Sequence, residues 1–132
     1  MKKILLLLTL LVTLGFSAEL KWVDYDDVAL PEAQKSAKII MVMLSREGCP
    51  GCEYMESIVF HNENVVKKIN KDFIAVHVDI HNDFIPDGLT YIGTPTFYFL
   101  NADEKTLEKM DGGVNAQSFM TVLDRVVVKS KK

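Results

Sequence analysis

The chain contains two cysteines, and both lie in one four-residue motif, Cys49-Pro50-Gly51-Cys52. At the start of a helix such a pair forms a reactive dithiol, because unpaired backbone amides and the helix dipole stabilise a thiolate on the first sulfur. The second cysteine, one turn further on, can attack a mixed disulfide formed on the first. We therefore expect Cys49 to be the nucleophile and Cys52 the resolving cysteine. Pro50 suits the first turn, where its missing amide would have no partner.

Other uses of a cysteine pair fit the sequence less well. Two cysteines are too few for a four-ligand structural zinc site, and the histidines are scattered at His61, His77 and His81. A purely structural disulfide would close a loop too short to constrain the unfolded chain much. Covalent haem attachment needs a histidine directly after the second cysteine, where this chain has Glu53. Metal binding and a structural disulfide stay open as weaker alternatives, whereas haem attachment is excluded as a motif match.

Two further sets of side chains offer metal-binding atoms. His77, Asp79 and His81 alternate along a predicted strand and could face one side of it as three ligands. The methionines could indicate copper handling, but methionines at buried positions are far more often packing residues. These methionines are Met41, Met43, Met55, Met110 and Met120. We favour packing, and we predict no metal and no cofactor other than the redox-active Cys49–Cys52 disulfide.

The first eighteen residues differ in composition from the rest of the chain. Two lysines follow Met1, positions 4–14 are apolar apart from two threonines, and small residues follow at Gly15, Ser17 and Ala18. This layout is typical of a secretory signal peptide, and the apolar run is shorter than the roughly 17 to 25 residues of a membrane-spanning helix. We therefore predict a signal peptide over residues 1–18, an uncleaved anchor being the weaker alternative. The remaining domain, residues 19–132, is expected to be periplasmic or secreted.

Composition and charge restrict the function classes. The 132 residues include 15 Lys and Arg against 18 Asp and Glu, a formal net charge of -3. This balance leaves no basic excess for nucleic-acid phosphates, so we predict no nucleic-acid partner. Hydrophobic residues make up 48% of the chain and charged residues 25%, as in ordinary globular domains. The sequence has no recognisable dimerisation segment, and we expect a monomer.

The apolar periodicity predicts an α/β domain with one mixed sheet. In chain order the predicted elements are a helix at 25–38, strand 39–44, a helix continuing to 69 with a bend near 61–64, strand 73–80, a turn-rich connection at 83–91, strands 96–100 and 106–110, and a last helix from Asn115 to about 129. This order combines parallel and antiparallel strand pairing. It places the dithiol between the end of a buried strand and the start of a helix.

On these residues the chain resembles the thioredoxin-fold family. The resemblance is carried by the dithiol motif after a buried strand, by Gly93-Thr94-Pro95-Thr96-Phe97 before a later strand, and by Gly112-Gly113 before the last helix. It implies a thioredoxin fold, with a central mixed parallel and antiparallel sheet flanked by helices. It also implies that Pro95 is a cis proline facing the dithiol and that the Thr94 backbone pairs with a bound substrate strand. The chain most resembles the exported thioredoxin-related subgroup with a long, bent active-site helix.

Three positions depart from the family pattern. Between the cysteines the usual order is glycine then proline, whereas here Pro50 precedes Gly51. Gly48 replaces the familiar tryptophan before the first cysteine, and Met43 stands where many relatives have a buried acid. Because a methionine cannot accept the proton of the resolving thiol, Glu47 is the nearby substitute for proton transfer.

The resemblance implies an exported thiol-disulfide oxidoreductase that exchanges its dithiol or disulfide with protein substrates, with reduction favoured over oxidation. Its expected partners are disulfide-containing or dithiol proteins and an electron donor or acceptor protein. With no third cysteine in the chain, no second internal dithiol can relay electrons. The alternatives are a non-catalytic module that holds extended peptides beside Pro95, and a metal chaperone.

Overall fold

The structure is a computed structural model that describes residues 18–132. The predicted signal peptide lies outside the described residues except for Ala18. The helices are a π-helical turn at Tyr25–Ala29, α1 (Leu30–Ser36), α2 (Pro50–Ser57), a 3-10 turn at Val59–His61, α3 (Glu63–Asp72) and α4 (Ala116–Ser130). The strands are β1 (Ile39–Ser45), β2 (Phe73–Asp79), β3 (Thr96–Leu100) and β4 (Thr106–Asp111). None of the helices in this part of the chain is both long and apolar enough to cross a bilayer.

The apolar strand β1 is buried along its whole length because it lies inside a four-stranded sheet of order β2-β1-β3-β4. β2 runs parallel to β1, while β3 is antiparallel to both β1 and β4. Of the two edge strands, β4 has no buried residue, whereas β2 is mostly buried. The prediction of a mixed sheet flanked by helices is confirmed.

Alternate residues of β1 point into two separate cores, as the pleat of a strand requires. Met41 and Met43 point to the face that carries both cysteines, where Phe97 and Phe119 pack with ring centroids 5.3 Å apart. Residues 40, 42 and 44 point to the opposite face and pack beneath the N-terminal helical segment. Met41, Met43 and Met55 are fully buried, and Met110 and Met120 pack against the first core, which confirms their packing role.

The first two predicted helices differ from the observed ones. The N-terminal helical segment ends at Ser36, since Ala37 adopts a left-handed conformation with φ 58°. The long helix after the motif is interrupted twice, at Ile58 and at Asn62, and its last part continues to Asp72. Only the second interruption lies in the predicted bend, and Asn62 causes it by accepting the backbone N–H groups of residues 64 and 65. The predicted cap of the last helix is confirmed, because Asn115 Oδ1 accepts the N–H of residue 118 at 2.9 Å.

Candidate active site

The two cysteines form a disulfide at the N-terminus of α2, directly after the loop that leaves β1. Cys49 is the N-cap residue, and its Cα lies 5.2 Å from that of Cys52. The Cys49 Sγ accepts a hydrogen bond from the Cys52 backbone N–H at 3.2 Å. The cysteines are 3% and 2% exposed, so little of the disulfide is open to solvent. The spacing of the motif thus predicts its place in the fold correctly.

The loop between β1 and α2 explains one departure from the family pattern. Gly48 has φ +70°, in the left-handed region that residues with a Cβ rarely adopt. The Arg46 Nη1 donates to the carbonyl oxygens of Glu47 and Gly48 at 3.3 and 3.4 Å, which holds the loop in this turn. A tryptophan at position 48 would therefore be strained in this conformation.

Three chain segments meet at the dithiol. The Thr94–Pro95 peptide bond is cis, and a Cβ on Gly51 would lie 3.0 Å from the Pro95 Cδ. A Cβ on Gly113 would lie 3.3 Å from the Gly51 carbonyl oxygen. The Gly112 N–H donates to the Pro95 carbonyl at 2.8 Å. Glycines at positions 51 and 113 therefore allow the motif, the proline loop and the glycine pair to pack in direct contact.

The segment before Pro95 combines an unsatisfied polar group with an exposed apolar one. The Thr94 Oγ1 is buried and has no hydrogen-bond partner within residues 18–132. Thr96 differs, because its hydroxyl donates to the Gly93 carbonyl at 2.7 Å. Ile92, two residues before Thr94, is 93% exposed. Thr94 lies outside the strand register and directly precedes the proline that contacts Gly51 of the motif.

The core has no acid at the position where the family pattern places the proton acceptor for the resolving cysteine. Met43 is fully buried in the core that also contains the cysteines. Glu47 is exposed, and its proposed role in proton transfer stays a prediction. Over the described range no carboxylate, amine or imidazole is buried.

Sequence reasoning missed one polar contact close to the dithiol. The His77 Nε2 lies 2.8 Å from the Glu56 Oε1, which joins β2 to α2. Trp22 packs edge-on against His77, with ring centroids 5.5 Å apart. In the sequence, Glu56 could have been noticed because it follows Cys52 by four residues and therefore lies on the same face of the helix.

The alternative ligand set of His77, Asp79 and His81 does not converge. His77 pairs with Glu56, whereas the Asp79 Oδ1 accepts the backbone N–H groups of His81 and Asn82 at 2.8 and 3.2 Å. These bonds lower the pKa of Asp79, the amide of His81 being the largest cause. Across residues 18–132 no three His, Cys, Asp or Glu side chains are grouped closely enough to hold a metal ion.

Comparison with known proteins gives one family and several similar structures. The family model described as a thioredoxin-like domain matches residues 27–127. A thioredoxin from Thermus thermophilus is 27% identical, with a TM-score of 0.70 over 85% of this chain and 90% of that one. A chain named DsbH oxidoreductase is 21% identical, with a TM-score of 0.68 over 85% and 88%.

The oxidised C-terminal domain of DsbD from Neisseria meningitidis is 19% identical, with a TM-score of 0.54 over 73% of this chain and 84% of that one. At these identities the DsbH and DsbD structures support the fold alone. Among curated proteins, none matches the chain.

Proposed function

The chain belongs to the thioredoxin-like family, and we propose that it is an exported thiol-disulfide oxidoreductase that reduces disulfides in other proteins. The observation that carries the proposal is the disulfide at the N-terminus of α2, packed against Pro95 through Gly51. A sulfur at this position lies at the positive end of the α2 dipole, which favours its thiolate form. The fold and the cysteine pair suggest redox activity, while export, direction and substrate are parts of the proposal.

The chemistry proceeds in two exchanges. In the dithiol form the Cys49 thiolate attacks one sulfur of the substrate disulfide, forming a mixed disulfide and releasing the other substrate sulfur as a thiolate. Cys52 then loses its proton and attacks the Cys49 Sγ, which forms the Cys49–Cys52 bond and releases the second substrate thiolate. Two electrons pass to the substrate, and this chain becomes oxidised. The Cys52 N–H that faces the Cys49 Sγ at 3.2 Å favours negative charge on that sulfur.

Substrate is proposed to bind along the edge beside Pro95. The Thr94 backbone lies outside the strand register, so an extended peptide can pair with it in the manner of an added strand. The exposed Ile92 side chain offers an apolar contact to the same peptide. A protein substrate with its cysteine in an extended segment fits this arrangement.

The cycle requires a second protein. Both cysteines of the chain are consumed in one disulfide, so an external dithiol must reduce the chain after each turnover. Whether a given couple runs as reductant or oxidant is set by its reduction potential relative to that of its compartment. We propose the reductive direction and an electron-donating partner protein. The thioredoxin name of the 27% identical neighbour supports this class of chemistry.

Export is supported by the composition of residues 1–18, which has the layout of a signal peptide. Fractionation of cells that express the full chain, with determination of the N-terminus, tests this part of the proposal. A mature protein that begins at residue 18 or 19 outside the cytoplasm is expected. Full-length protein confined to the cytoplasm would contradict export and leave the exchange chemistry untouched.

Insulin reduction by dithiothreitol tests the enzymatic function. The wild-type protein is expected to accelerate precipitation of the insulin B chain, and Cys49→Ser is expected to match the uncatalysed rate. Equal rates with the two proteins would contradict the oxidoreductase and favour the peptide-binding module. A metal chaperone instead predicts metal that is retained after dialysis at one equivalent and lost when both cysteines are replaced.

A further inference from the structure

The exchange reaction, on which this inference rests, needs a base for the Cys52 thiol. Only a thiolate attacks a disulfide, so Cys52 must give up its proton before it resolves the mixed disulfide. Met43, in the same core, has no atom that can accept it. No carboxylate or imidazole is buried within residues 18–132, so a side chain that accepts this proton has to be at least partly exposed.

Glu56 and His77 are two such partly exposed side chains. Glu56 follows Cys52 by four residues in α2, and side chains at this spacing share a helix face with about 5–6 Å between their Cβ atoms. The contact of Glu56 with His77 places this face of α2 over β2. His77 is the register partner of Met43 in the parallel ladder. Helix spacing thus places Glu56 on the face of α2 that carries Cys52, and the strand register places His77 next to the position that lacks an acid.

The surroundings hold the pair in place and leave it connected to solvent. Trp22 packs edge-on against His77 at 5.5 Å and against Phe60 at 5.4 Å, which restricts the imidazole ring. The side chains of His77 and Glu56 are 31% and 40% exposed, so a proton that they accept can leave to water. An imidazole is the side chain that most often accepts a proton in enzymatic acid–base catalysis.

Other charged groups surround the dithiol and the pair. Near the dithiol they are the exposed Arg46, Glu47, Glu53 and Asp111. Beside Glu56 the cleft is lined by Glu19, His61 and Glu63, and beside His77 by Asp24, Asp26 and Asp83. Because these groups also titrate, a pH profile must be compared between wild type and variants at positions 56 and 77.

We propose that the Glu56–His77 pair accepts the proton that Cys52 loses in the resolving step. The neutral imidazole donates its Nε2–H to the Glu56 Oε1, so the proton from Cys52 goes to the Nδ1, and the carboxylate stabilises the resulting imidazolium while the Cys52 Sγ forms its bond to the Cys49 Sγ. The bond between Cys49 and the substrate sulfur breaks, and the substrate leaves as a thiolate. The proton then passes from the pair to that thiolate or to water. The substrate disulfide is the oxidant, so the step needs no further reactant.

Stopped-flow reaction of the reduced protein with an aryl disulfide that releases a coloured thiolate separates the two steps. The first phase reports attack by Cys49, and the second reports resolution by Cys52. Cys52→Ser must show the first phase alone, which assigns the phases. A wild-type protein without a second phase would contradict the proposed function itself, independently of the pair.

Glu56→Gln and His77→Gln are expected to slow the second phase by about tenfold at neutral pH and to change the first by less than about twofold. Glu63→Gln is the matched control, because it removes one exposed carboxylate from the cleft beside Glu56, and it should leave both phases within about twofold. The pH midpoint of the second phase should move in His77→Gln toward the thiol range, about 8.5. A merely structural role would not produce this shift.

Unchanged second phases in both variants would overturn the proposal, as would an equal slowing in Glu63→Gln. A slower second phase in Glu47→Gln, with an unchanged second phase in Glu56→Gln, would show that Glu47 accepts the proton instead. If a variant fails to fold, the pH dependence of the second-phase rate in the wild-type protein is the test. A rate that follows only the ionisation of a thiol would contradict proton transfer to the Glu56–His77 pair.

Discussion

Glu108 joins the edge strand β4 to α4, and its replacement by glutamine should weaken the fold in a pH-dependent way. The Glu108 side chain is 12% exposed. Its Oε1 accepts the Arg125 Nε at 3.0 Å and also the Arg125 Nη2, and its Oε2 accepts the Lys129 Nζ at 2.9 Å. The Arg125 hydrogen bond is the main cause that holds the pKa of Glu108 below its ordinary value, with Lys129 adding to it.

The expected loss follows from these contacts. Charge-assisted hydrogen bonds contribute about 1.5–3 kcal/mol when shielded, whereas exposed ion pairs contribute about 0.2–1 kcal/mol. Arg125 and Lys129 are 49% and 43% exposed, so solvent screening places each contact near the lower range. Glu108→Gln should therefore lower the free energy of unfolding by about 1–2 kcal/mol at pH 7, a fall in Tm of several degrees.

The pH dependence has a definite sign. A carboxyl with a lowered pKa in the folded state contributes its full stabilisation above its unfolded pKa, about 4.3, and loses it as the pH falls through the folded pKa. Urea unfolding at a series of pH values should show a constant gap between wild type and variant above about pH 5.5 that closes below pH 4. Glu32→Gln, at an exposed position on α1, is the control and should differ from wild type by less than about 0.5 kcal/mol. A gap that persists unchanged into acid would refute the ion-pair reasoning.

Three further predictions concern the backbone at Ala37, the hydroxyl of Thr94 and the redox state. Ala37→Gly should raise the free energy of unfolding by about 0.5–1 kcal/mol, because Ala37 has φ 58°. Gln34→Gly, inside α1, should lower it, and an equal loss of stability in both variants would contradict this. Thr94→Val should stabilise the protein by about 1 kcal/mol in thermal unfolding, since the hydroxyl is buried without a partner; a loss of that size would show that the hydroxyl is bonded. If the protein is a reductant, its disulfide form should be more stable in urea than its dithiol form. Each 1.4 kcal/mol of difference in unfolding free energy corresponds to about 30 mV of reduction potential, and a more stable dithiol form would contradict the reductive direction.

The strands could be predicted within a residue or two because each is a short apolar run bounded by breaks in the pattern. β3 begins directly after Pro95 and ends where Asn101 starts the hairpin turn. The helix interruption at Ile58 could not be predicted in this way. Ile58 is 58% exposed and Val59 is fully buried, but both are apolar, so the periodicity continues through the break.

The site was predictable only in part. The helix start at the cysteines follows from local chemistry, and the place of Pro95 followed from the family resemblance. The contact between Glu56 and His77 joins residues 21 positions apart, so it depends on how α2 packs over β2. Similarly, the sequence shows only that Gly48 replaces the tryptophan of the family pattern. The reason, a left-handed backbone conformation at this residue, depends on the loop structure.

The central claim is that Cys49 exchanges disulfides with other proteins and that Cys52 resolves the product. Trapping in the native compartment with Cys52→Ser, followed by non-reducing electrophoresis and mass spectrometry, tests this most directly. The account predicts mixed disulfides on Cys49 that disappear on reduction and are absent when Cys49 is also replaced. No adduct on Cys49, or the same adducts in the double variant, would contradict it.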